Sequence, residues 1–501
     1  MRAAVSEAWN SLEADPRRSL AVALSLGVLL RIPFLSAPLQ PDEGGFLMVA
    51  RQWTADGSAL YGDQWVDRPP LLIVIFRLAA TLGGDPVTLR ILALLFGAAT
   101  VVAAWWAGRV INGPRGALAA AVVAAAISSS YKLDGFALTG EAIAVAMVMT
   151  SCALTLDATY SSRTSRQAVV LALGSGILAA MAFLVKQSFV DAGLFAFVLL
   201  SMAVPRSWRV FGAGAVGVAL PLVVTAAWAG SDAGPGLVKL WNAVFRFRQR
   251  AFEVMQNATD TAPQDRLNLL VQLFVTTGLI LLSLQLFAAL RRRAENPPAL
   301  RPALLVMFAY SVAAVLVGGS WWSHYLLQLG PVLALGTASA TRRPLPRLGP
   351  RVTAAAVALA SIWACVTGVR DVANAQLVGT TDEIVGLYLR DASKPGDSVV
   401  LAYGRASVIE TSGLSTPYKY SWSLPVRARD SHLTTLVATL SGDSAPTWLV
   451  EIGEFDWWGL DNAAFRQVRA SGYHVVATVC EHDVYLRDGL VRSLPPTPSC
   501  P

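Results

Sequence analysis

The sequence predicts a polytopic α-helical membrane protein that ends in a small α/β domain, and three observations support this fold class. Hydrophobic residues make up 54% of the 501 residues and charged residues only 15%, whereas soluble domains carry about 25% charged residues. The apolar residues form repeated runs of the ~20 residues that a membrane-spanning helix needs. From residue 371 onward charges return and short strand-like runs appear.

About eleven apolar runs are long enough to be counted as spans. They lie near 19–38, 88–110, 116–131, 141–160, 167–185, 187–204, 209–230, 266–290, 301–319, 324–340 and 351–370. The first run follows Arg17 and Arg18 and lacks a small-residue cleavage site, so we expect an uncleaved first span rather than a signal peptide.

The placement of arginines predicts the orientation of these spans. Cytoplasmic turns of membrane proteins are enriched in Lys and Arg. If the short run 71–82, which contains Arg77, does not cross, every arginine-rich short turn falls on one side. We therefore expect 71–82 to be a juxtamembrane or re-entrant helix on the outer face, with the N-terminus cytoplasmic and the tail extracytoplasmic, in a cell membrane. The same distribution argues against a nucleic-acid partner despite the net charge of +7.

Residues 371–501 are predicted to form a separate soluble domain after a membrane domain of residues 1–370. Strand-like runs at 398–402, 447–452, 474–479 and 484–486 alternate with helical patterns near 376–391, 431–440 and 463–470. Trp457 and Trp458 are open to two interpretations, a carbohydrate platform or packing. Cys480 and Cys500 can form a disulfide if the tail lies outside.

Candidate chemistry begins with Asp42 and Glu43, directly after the first span. A carboxylate there can act as general base for a hydroxyl nucleophile. Asp42, together with Glu141 at the start of a later span, can also hold a divalent metal ion. The alternatives are a solvated loop acid for the Asp-Glu pair and an acid stabilising the helix dipole for Glu141.

Cationic and polar groups at the same predicted face can bind an anionic substrate. Arg68 opens the juxtamembrane helix and offers a guanidinium fork for a phosphate, although interfacial snorkelling explains it equally well. A lysine such as Lys186 is either a turn marker or an anion ligand, and a histidine at the end of a span can donate to phosphate. The further substrate-binding candidates are Lys132, Gln187, His324 and Tyr325.

Arg246 and Arg248 lie in a segment whose apolar residues have helical spacing, with Leu237, Leu240, Trp241 and Val244 on one side. This pattern is typical of an amphipathic helix on a membrane surface. The arginines would meet phosphate groups, and a plain surface anchor is the alternative.

The order of these elements resembles that of the GT-C glycosyltransferases, in the branch of the protein O-mannosyltransferases and the lipid A aminoarabinose transferase. Over roughly residues 20–340 the chain presents Pro-Asp-Glu-Gly after the first span, then Arg-Pro-Pro-Leu-Leu, an acid opening a later span, Lys-Gln between spans, and His-Tyr-Leu-Leu-Gln-Leu. By this resemblance Asp42 matches the catalytic acidic position, and Glu141 falls near the second carboxylate. Arg68 stands where the family usually has the lysine that contacts the carrier phosphate.

The resemblance implies a membrane glycosyltransferase of cell-envelope assembly that moves a sugar from a polyprenyl-phosphate donor to an acceptor hydroxyl with inversion. Membrane lipids surround it, and the acceptor can be a glycan, a lipid or a protein. The sugar stays open among mannose, arabinose, aminoarabinose and hexoses. A lipid flippase and a non-catalytic lipid-binding partner are the alternatives, although a transporter would often show internal repeats, and we find none.

Overall fold

The computed structural model describes residues 11–53, 60–63, 65–161, 164–203, 208–257, 261–291, 297–342, 349–453 and 460–501, and helices dominate this part of the chain. Before the tail they are α1 (Pro16–Leu29), α2 (Pro41–Gln52), α3 (Pro70–Thr81), α4 (Pro86–Ser128), α5 (Gly140–Tyr160), α6 (Ser165–Val185), α7 (Asp191–Ala203), α8 (Trp208–Gly230), α9 (Leu237–Trp241), α10 (Phe247–Gln256), α11 (Ala262–Thr276), α12 (Leu279–Arg291), α13 (Leu300–Val317), α14 (Gly330–Ala340) and α15 (Pro350–Ala373). Short 3₁₀ turns occupy Ile32–Phe34, Tyr131–Leu133 and Ser323–Leu329, and a π turn occupies Asn242–Arg246.

The chain divides into two compact units. The first, the helical unit, contains 1–35, 89–225 and 264–369, and the second, the tail unit, contains 36–88, 226–263 and 370–501. The tail unit therefore joins the predicted soluble tail to two loops of the predicted membrane domain. The domain boundary at residue 370 stays a prediction.

Six of the described helices are long and apolar enough to cross a membrane, and α11 with α12, bent by 62°, forms a seventh candidate. The six are α4, α5, α6, α8, α13 and α15. Predicted spans at 19–38, 187–204 and 324–340 correspond to the shorter helices α1, α7 and α14. The multi-pass helical membrane fold predicted from the sequence is confirmed.

Helix α4 contains two predicted spans, because its 43 residues are broken at Asn112 and Gly113. Gly113 has φ 58°, which favours glycine, and Pro114 cannot continue the preceding helix. Gly108 packs on the backbone of Gly116, so the chain turns back on itself at this break. Small residues allow this close approach of two helices.

The ambiguous segment 71–82 forms α3, whose 12 residues rise about 18 Å at 1.5 Å each. A bilayer core of about 30 Å is too thick for it to cross. The structure thus has the short helix that the arginine distribution required, and its position on the outer face stays a prediction.

The tail is an α/β layer as predicted. Its helices are α16 (Val378–Ala392), α17 (Ala406–Ser412), α18 (Ser423–Arg429), α19 (Thr434–Ser441) and α20 (Ala463–Gly472), and its strands are β1 (Val399–Ala402), β2 (Trp448–Glu451), β3 (Tyr473–Val479) and β4 (His482–Arg487). The sheet order is β1-β2-β4-β3, with β1 and β2 parallel and the other pairs antiparallel. The helices α17 and α18 were not predicted, and Trp457 and Trp458 lie outside the described residues.

A disulfide joins Cys480 to Cys500. Cys480 and Glu481 form the two-residue turn between β3 and β4, both with positive φ, at 49° and 65°, as tight hairpins require. The bond therefore fastens the C-terminal end of the chain to this hairpin. Cys152, which is buried, and Cys365, which is partly buried, are free thiols.

Candidate active site

Asp42 lies in the first turn of α2, where backbone N–H groups favour an acidic side chain. Glu43, beside it, is buried and accepts a hydrogen bond at 2.9 Å from the backbone N–H of Gln40, which closes a capping box. The two neighbouring acids therefore have different environments. Glu43 stabilises the start of the helix, whereas Asp42 is only partly buried and presents its carboxylate.

The carboxylate of Asp42 has a partner in the distant tail. The indole Nε1–H of Trp422 donates to Oδ1 of Asp42 at 3.1 Å, although the two residues are 380 positions apart in sequence. The ring of Trp422 also contacts Phe46, with centroids 5.8 Å apart. Phe46 lies one helical turn after Asp42 and on the same face of α2.

Arg68 approaches this same face of α2. Its guanidinium carbon lies 5.7 Å from the centroid of the Phe46 ring. The Tyr61 hydroxyl donates to the backbone carbonyl of Arg68 at 2.7 Å, which fixes the loop before α3. The structure thus places the guanidinium of Arg68 beside α2, one helical turn along from the carboxylate of Asp42.

A second arginine joins Arg68 through a shared carboxylate. Asp67 binds Arg68 at 2.7 Å through one oxygen and Arg248 at 2.7 Å through the other. Two guanidiniums and one carboxylate leave a net positive charge, which suits a phosphate. Arg246, two residues earlier, is exposed.

Aromatic packing holds the segment that carries Arg248. Phe247, its neighbour, packs edge-on against the buried ring of Trp65 at 4.6 Å. Tyr420 of the tail also packs edge-on against Trp65, with ring centroids 5.8 Å apart. Three separate stretches of sequence therefore fix the position of the arginine pair. We call Asp42, Phe46, Asp67, Arg68, Arg248 and Trp422 the tail-unit cluster.

The predicted amphipathic helix is present as α9, the π turn and α10. Its apolar side chains Leu237, Val238 and Trp241 are exposed, whereas Val244 and Phe247 are buried. Exposed apolar residues on a short helix are typical of contact with a membrane surface. That contact itself stays a prediction.

The helical unit contains a second group of predicted residues. Lys186, which caps the end of α6, forms an ion pair with Glu141 in the first turn of α5. Nε2 of His324 lies 3.6 Å from Glu141, and Nδ1 lies 3.2 Å from Asp134. The Lys186 ammonium is also 4.0 Å from the centroid of the Tyr325 ring.

Within this group, which we call the helical-unit cluster, Glu141 and Lys186 are buried, with 4% and 7% of their surface exposed. The charged groups neutralise one another, as buried charges require. Gln187 follows Lys186 in the turn, and Lys132 is exposed with its ammonium 5.4 Å from the centroid of the Tyr131 ring. Their substrate-binding roles stay predictions.

Asp42 and Glu141 are the two residues for which the sequence predicts a role in holding a metal ion. In the described part of the chain, no group of three or more His, Cys, Asp or Glu residues is arranged to hold a metal ion. A lysine ammonium already pairs with Glu141. The metal-binding role of Asp42 and Glu141 stays a prediction.

Asp67 and Trp422 were not among the candidate site residues predicted from the sequence. In the sequence, Asp67 is only the residue before Arg68, and it was given no role of its own. No pattern in the tail distinguishes Trp422 from the other tryptophans, because its partner lies 380 residues away.

Comparisons with known proteins address the fold. Residues 67–229 match the sequence profile of the family described as dolichyl-phosphate-mannose-protein mannosyltransferase. ArnT from Cupriavidus metallidurans, solved bound to undecaprenyl phosphate, has a TM-score of 0.62 at 16% identity, over 93% of this chain and 97% of that one. The oligosaccharyltransferase of Archaeoglobus fulgidus, in complex with Zn and sulfate, has a TM-score of 0.55 at 13% identity, over 86% and 67%. No curated protein sequence matches significantly.

These likenesses establish the fold. The matches span both the helical unit and the tail unit, since they cover most of the chain. The family profile covers Arg68, Glu141 and Lys186 but begins after Asp42. The chain shares the fold of these two proteins, and the resemblance predicted from its sequence is confirmed.

Proposed function

We propose that this chain is a membrane glycosyltransferase that moves a sugar from a polyprenyl-phosphate donor to an acceptor hydroxyl. The observation that carries the proposal is the tail-unit cluster, in which Asp42 and the Arg68–Arg248 pair flank Phe46. A general base and an anion site are the two requirements of a displacement at an anomeric carbon whose leaving group is a phosphate. ArnT, which shares the fold, was solved with undecaprenyl phosphate.

The reaction is a single displacement. The acceptor hydroxyl loses its proton to Asp42 as its oxygen bonds to the anomeric carbon. The bond between that carbon and the phosphate oxygen breaks, and the polyprenyl phosphate leaves with the bonding electrons. Arg68 and Arg248 stabilise its developing charge, and Asp42 then releases the proton to water. One displacement inverts the anomeric configuration.

Each group has a geometric reason for its role. In the described residues, Oδ1 of Asp42 has the Trp422 N–H as its partner, and the structure gives Oδ2 no partner. That oxygen is therefore available to accept a proton. Arg68 keeps the positive charge of the family's lysine, and its fork can donate two parallel hydrogen bonds to one phosphate.

The reaction is tested with purified protein in detergent and a panel of radiolabelled polyprenyl-phosphate sugars. Asp42→Asn is expected to reduce turnover by about 10²–10⁴-fold, as the loss of a general base does. Asp63→Asn, which changes an exposed acid in the loop between α2 and α3, is the matched control and is expected to transfer normally. Turnover by Asp42→Asn close to that of the wild type would contradict the assignment of Asp42 as the general base.

The product distinguishes the mechanism from its rivals. Nuclear magnetic resonance of the glycosylated product is expected to show the anomer opposite to that of the donor. A retained anomer would contradict single displacement. Movement of the lipid-linked sugar across vesicles without any transfer would support a flippase instead.

The chain is a multi-pass membrane protein, and we propose that its N-terminus is cytoplasmic and its tail extracytoplasmic. The Cys480–Cys500 disulfide supports this orientation, because disulfides persist in oxidising compartments. In a variant without its free cysteines, Ser493→Cys is expected to react with an impermeant maleimide in intact cells, and Ser165→Cys only after lysis. The opposite labelling would invert the orientation.

A further inference from the structure

The tail unit fixes the direction of the Asp42 carboxylate through one hydrogen bond. The Trp422 N–H donates to Oδ1 at 3.1 Å. A carboxylate on a helix surface otherwise rotates among rotamers. A single donor at one oxygen removes part of that freedom and leaves the second oxygen with a defined direction.

Trp422 itself is held against α2 by close packing. Its ring is tilted by 36° against Phe46. A Cβ added at Gly45 would collide with the same ring, its Cε2 atom being only 2.9 Å away. The absence of a side chain at Gly45 therefore lets the indole reach Asp42, one turn earlier in the helix.

The rest of the tail adds to this contact along the whole of α2. Gly44 packs on the backbone of Ser407, whose Cα would lie 2.5 Å from an added Cβ. At the other end of α2, Nε of Arg51 pairs with Glu410 at 2.6 Å. Both partners belong to α17, so α17 packs, together with Trp422, on the helix that carries Asp42.

A strained turn sets the position of α17. Three successive residues, Tyr403, Gly404 and Arg405, have positive φ of 80°, 110° and 66°. Such conformations persist only where the surroundings hold them. Arg405 pairs with the buried Asp382 of α16 at 2.7 Å, and a Cβ on Gly404 would lie 3.3 Å from the backbone N of Ser423, next to Trp422.

We propose that Trp422 is a positioning residue of the transfer reaction: it orients Asp42 so that Oδ2 faces the acceptor hydroxyl. This inference rests on the proposed role of Asp42 as general base. It makes the tail a part of the catalytic centre rather than a separate soluble domain. Hydrogen bonds to a charged group contribute about 1.5–3 kcal/mol, so losing this one is expected to lower kcat by about 10- to 100-fold.

Trp422→Phe is the direct test, because it keeps most of the ring but removes the N–H. It is expected to lower kcat while the KM for the lipid-linked donor stays unchanged, since the arginines are untouched. The matched control is Trp448→Phe. Trp448 is a fully buried tryptophan of the same tail whose Nε1 has no hydrogen-bond partner among the described residues, and this variant is expected to keep kcat. Equal losses in the two variants would overturn the proposal in favour of general tail stability.

A double substitution separates positioning from a structural role. In an Asp42→Asn background, Trp422→Phe is expected to reduce the residual turnover little further, because residues that act through one another are not additive. The same fold-loss in both backgrounds would overturn the proposal. Gly45→Ala, which displaces the indole without changing it, is expected to reproduce the kcat loss of Trp422→Phe.

The outcomes distinguish this inference from the function on which it rests. If Asp42→Asn retains turnover, the proposed general base is wrong. If Asp42→Asn loses turnover but Trp422→Phe matches the wild type in kcat, the base stands and only the positioning role is wrong.

Discussion

The guanidinium of Arg248 contacts the carboxylate of Asp67 at 2.7 Å, and so joins the segment after α9 to the loop that carries Arg68. This contact distinguishes Arg248 from Arg246, whose roles the sequence alone could not tell apart. Arg248 is held in the cluster, whereas Arg246 is exposed.

Arg248→Ala is therefore expected to weaken donor binding by about 10- to 100-fold, the loss of one charge-assisted hydrogen bond. Arg246→Ala is the control and is expected to leave donor binding unchanged. Both are measured as the KM for the polyprenyl-phosphate sugar. A larger effect from Arg246 would place the phosphate elsewhere on this segment.

Arg68 allows a graded test of the phosphate site. Arg68→Lys keeps the charge and is expected to retain most donor affinity, whereas Arg68→Ala is expected to lose about 10- to 100-fold. Arg77→Ala, in the helix α3 that follows Arg68, is the control, since the Arg77 guanidinium lies over Trp53, 5.4 Å from the ring centroid. Identical KM values for the lysine and alanine variants would show that charge at residue 68 is not used.

The Glu141–Lys186 pair is expected to stabilise the helical unit. Glu141→Gln leaves a buried ammonium without its carboxylate, which typically costs about 3–5 kcal/mol. Removing both charges, with Glu141→Gln and Lys186→Met, is expected to restore much of that stability. The melting temperature in detergent measures this. Loss of donor binding at unchanged melting temperature would instead support the predicted substrate role.

The tail has a pH-sensitive ion pair between Asp397 and Arg492. Burial alone would raise the pKa of Asp397, but hydrogen bonds from Arg492, at 2.9 and 2.6 Å, and from the Lys394 backbone lower it to about 2. The carboxylate has a depressed pKa in the folded state. Its contribution to stability is therefore present above the unfolded pKa of about 3.9 and is lost as pH falls through about 2.

Arg492→Ala is expected to lower the free energy of unfolding of the tail by about 1.5–3 kcal/mol at neutral pH. The difference from the wild type should shrink as the pH falls from about 4. Arg390→Ala, which removes an exposed pair with Asp391, is expected to change stability by at most about 1 kcal/mol. Denaturant unfolding followed by tryptophan fluorescence measures both. A difference between Arg492→Ala and the wild type that does not depend on pH would show that the carboxylate is not the partner that matters.

Local patterns were enough to predict much of the fold. Apolar runs located the long helices, and the alternation of strands and helices located β1 to β4 to within two residues. The break at Gly113 falls between two runs, 88–110 and 116–131, that were predicted as separate spans. The short helices α17 and α18 were not predicted, because a helix of seven residues shows too little hydrophobic periodicity to be distinguished from a turn.

The site was only partly predictable, for a physical reason. Residues such as Asp42, Arg68 and Lys186 are conspicuous because ionisable groups beside apolar runs are costly. Trp422 is an ordinary residue in its own neighbourhood, and only the fold brings it to Asp42. Likewise, the sequence could not show that the Glu43 carboxylate accepts a hydrogen bond from the backbone at the start of its own helix, whereas, among the described residues, the Asp42 carboxylate does not.

The paired glycines of α2 carry a consequence for protein engineering. Because Gly44 and Gly45 have no side chains, the surface of α2 fits one particular tail, in which Ser407 and Trp422 occupy the space. A chimera that grafts the tail of another enzyme onto this chain would have to exchange residues 41–52 along with it. In such a domain exchange, the tail and the helix that bears Asp42 must therefore be transferred together.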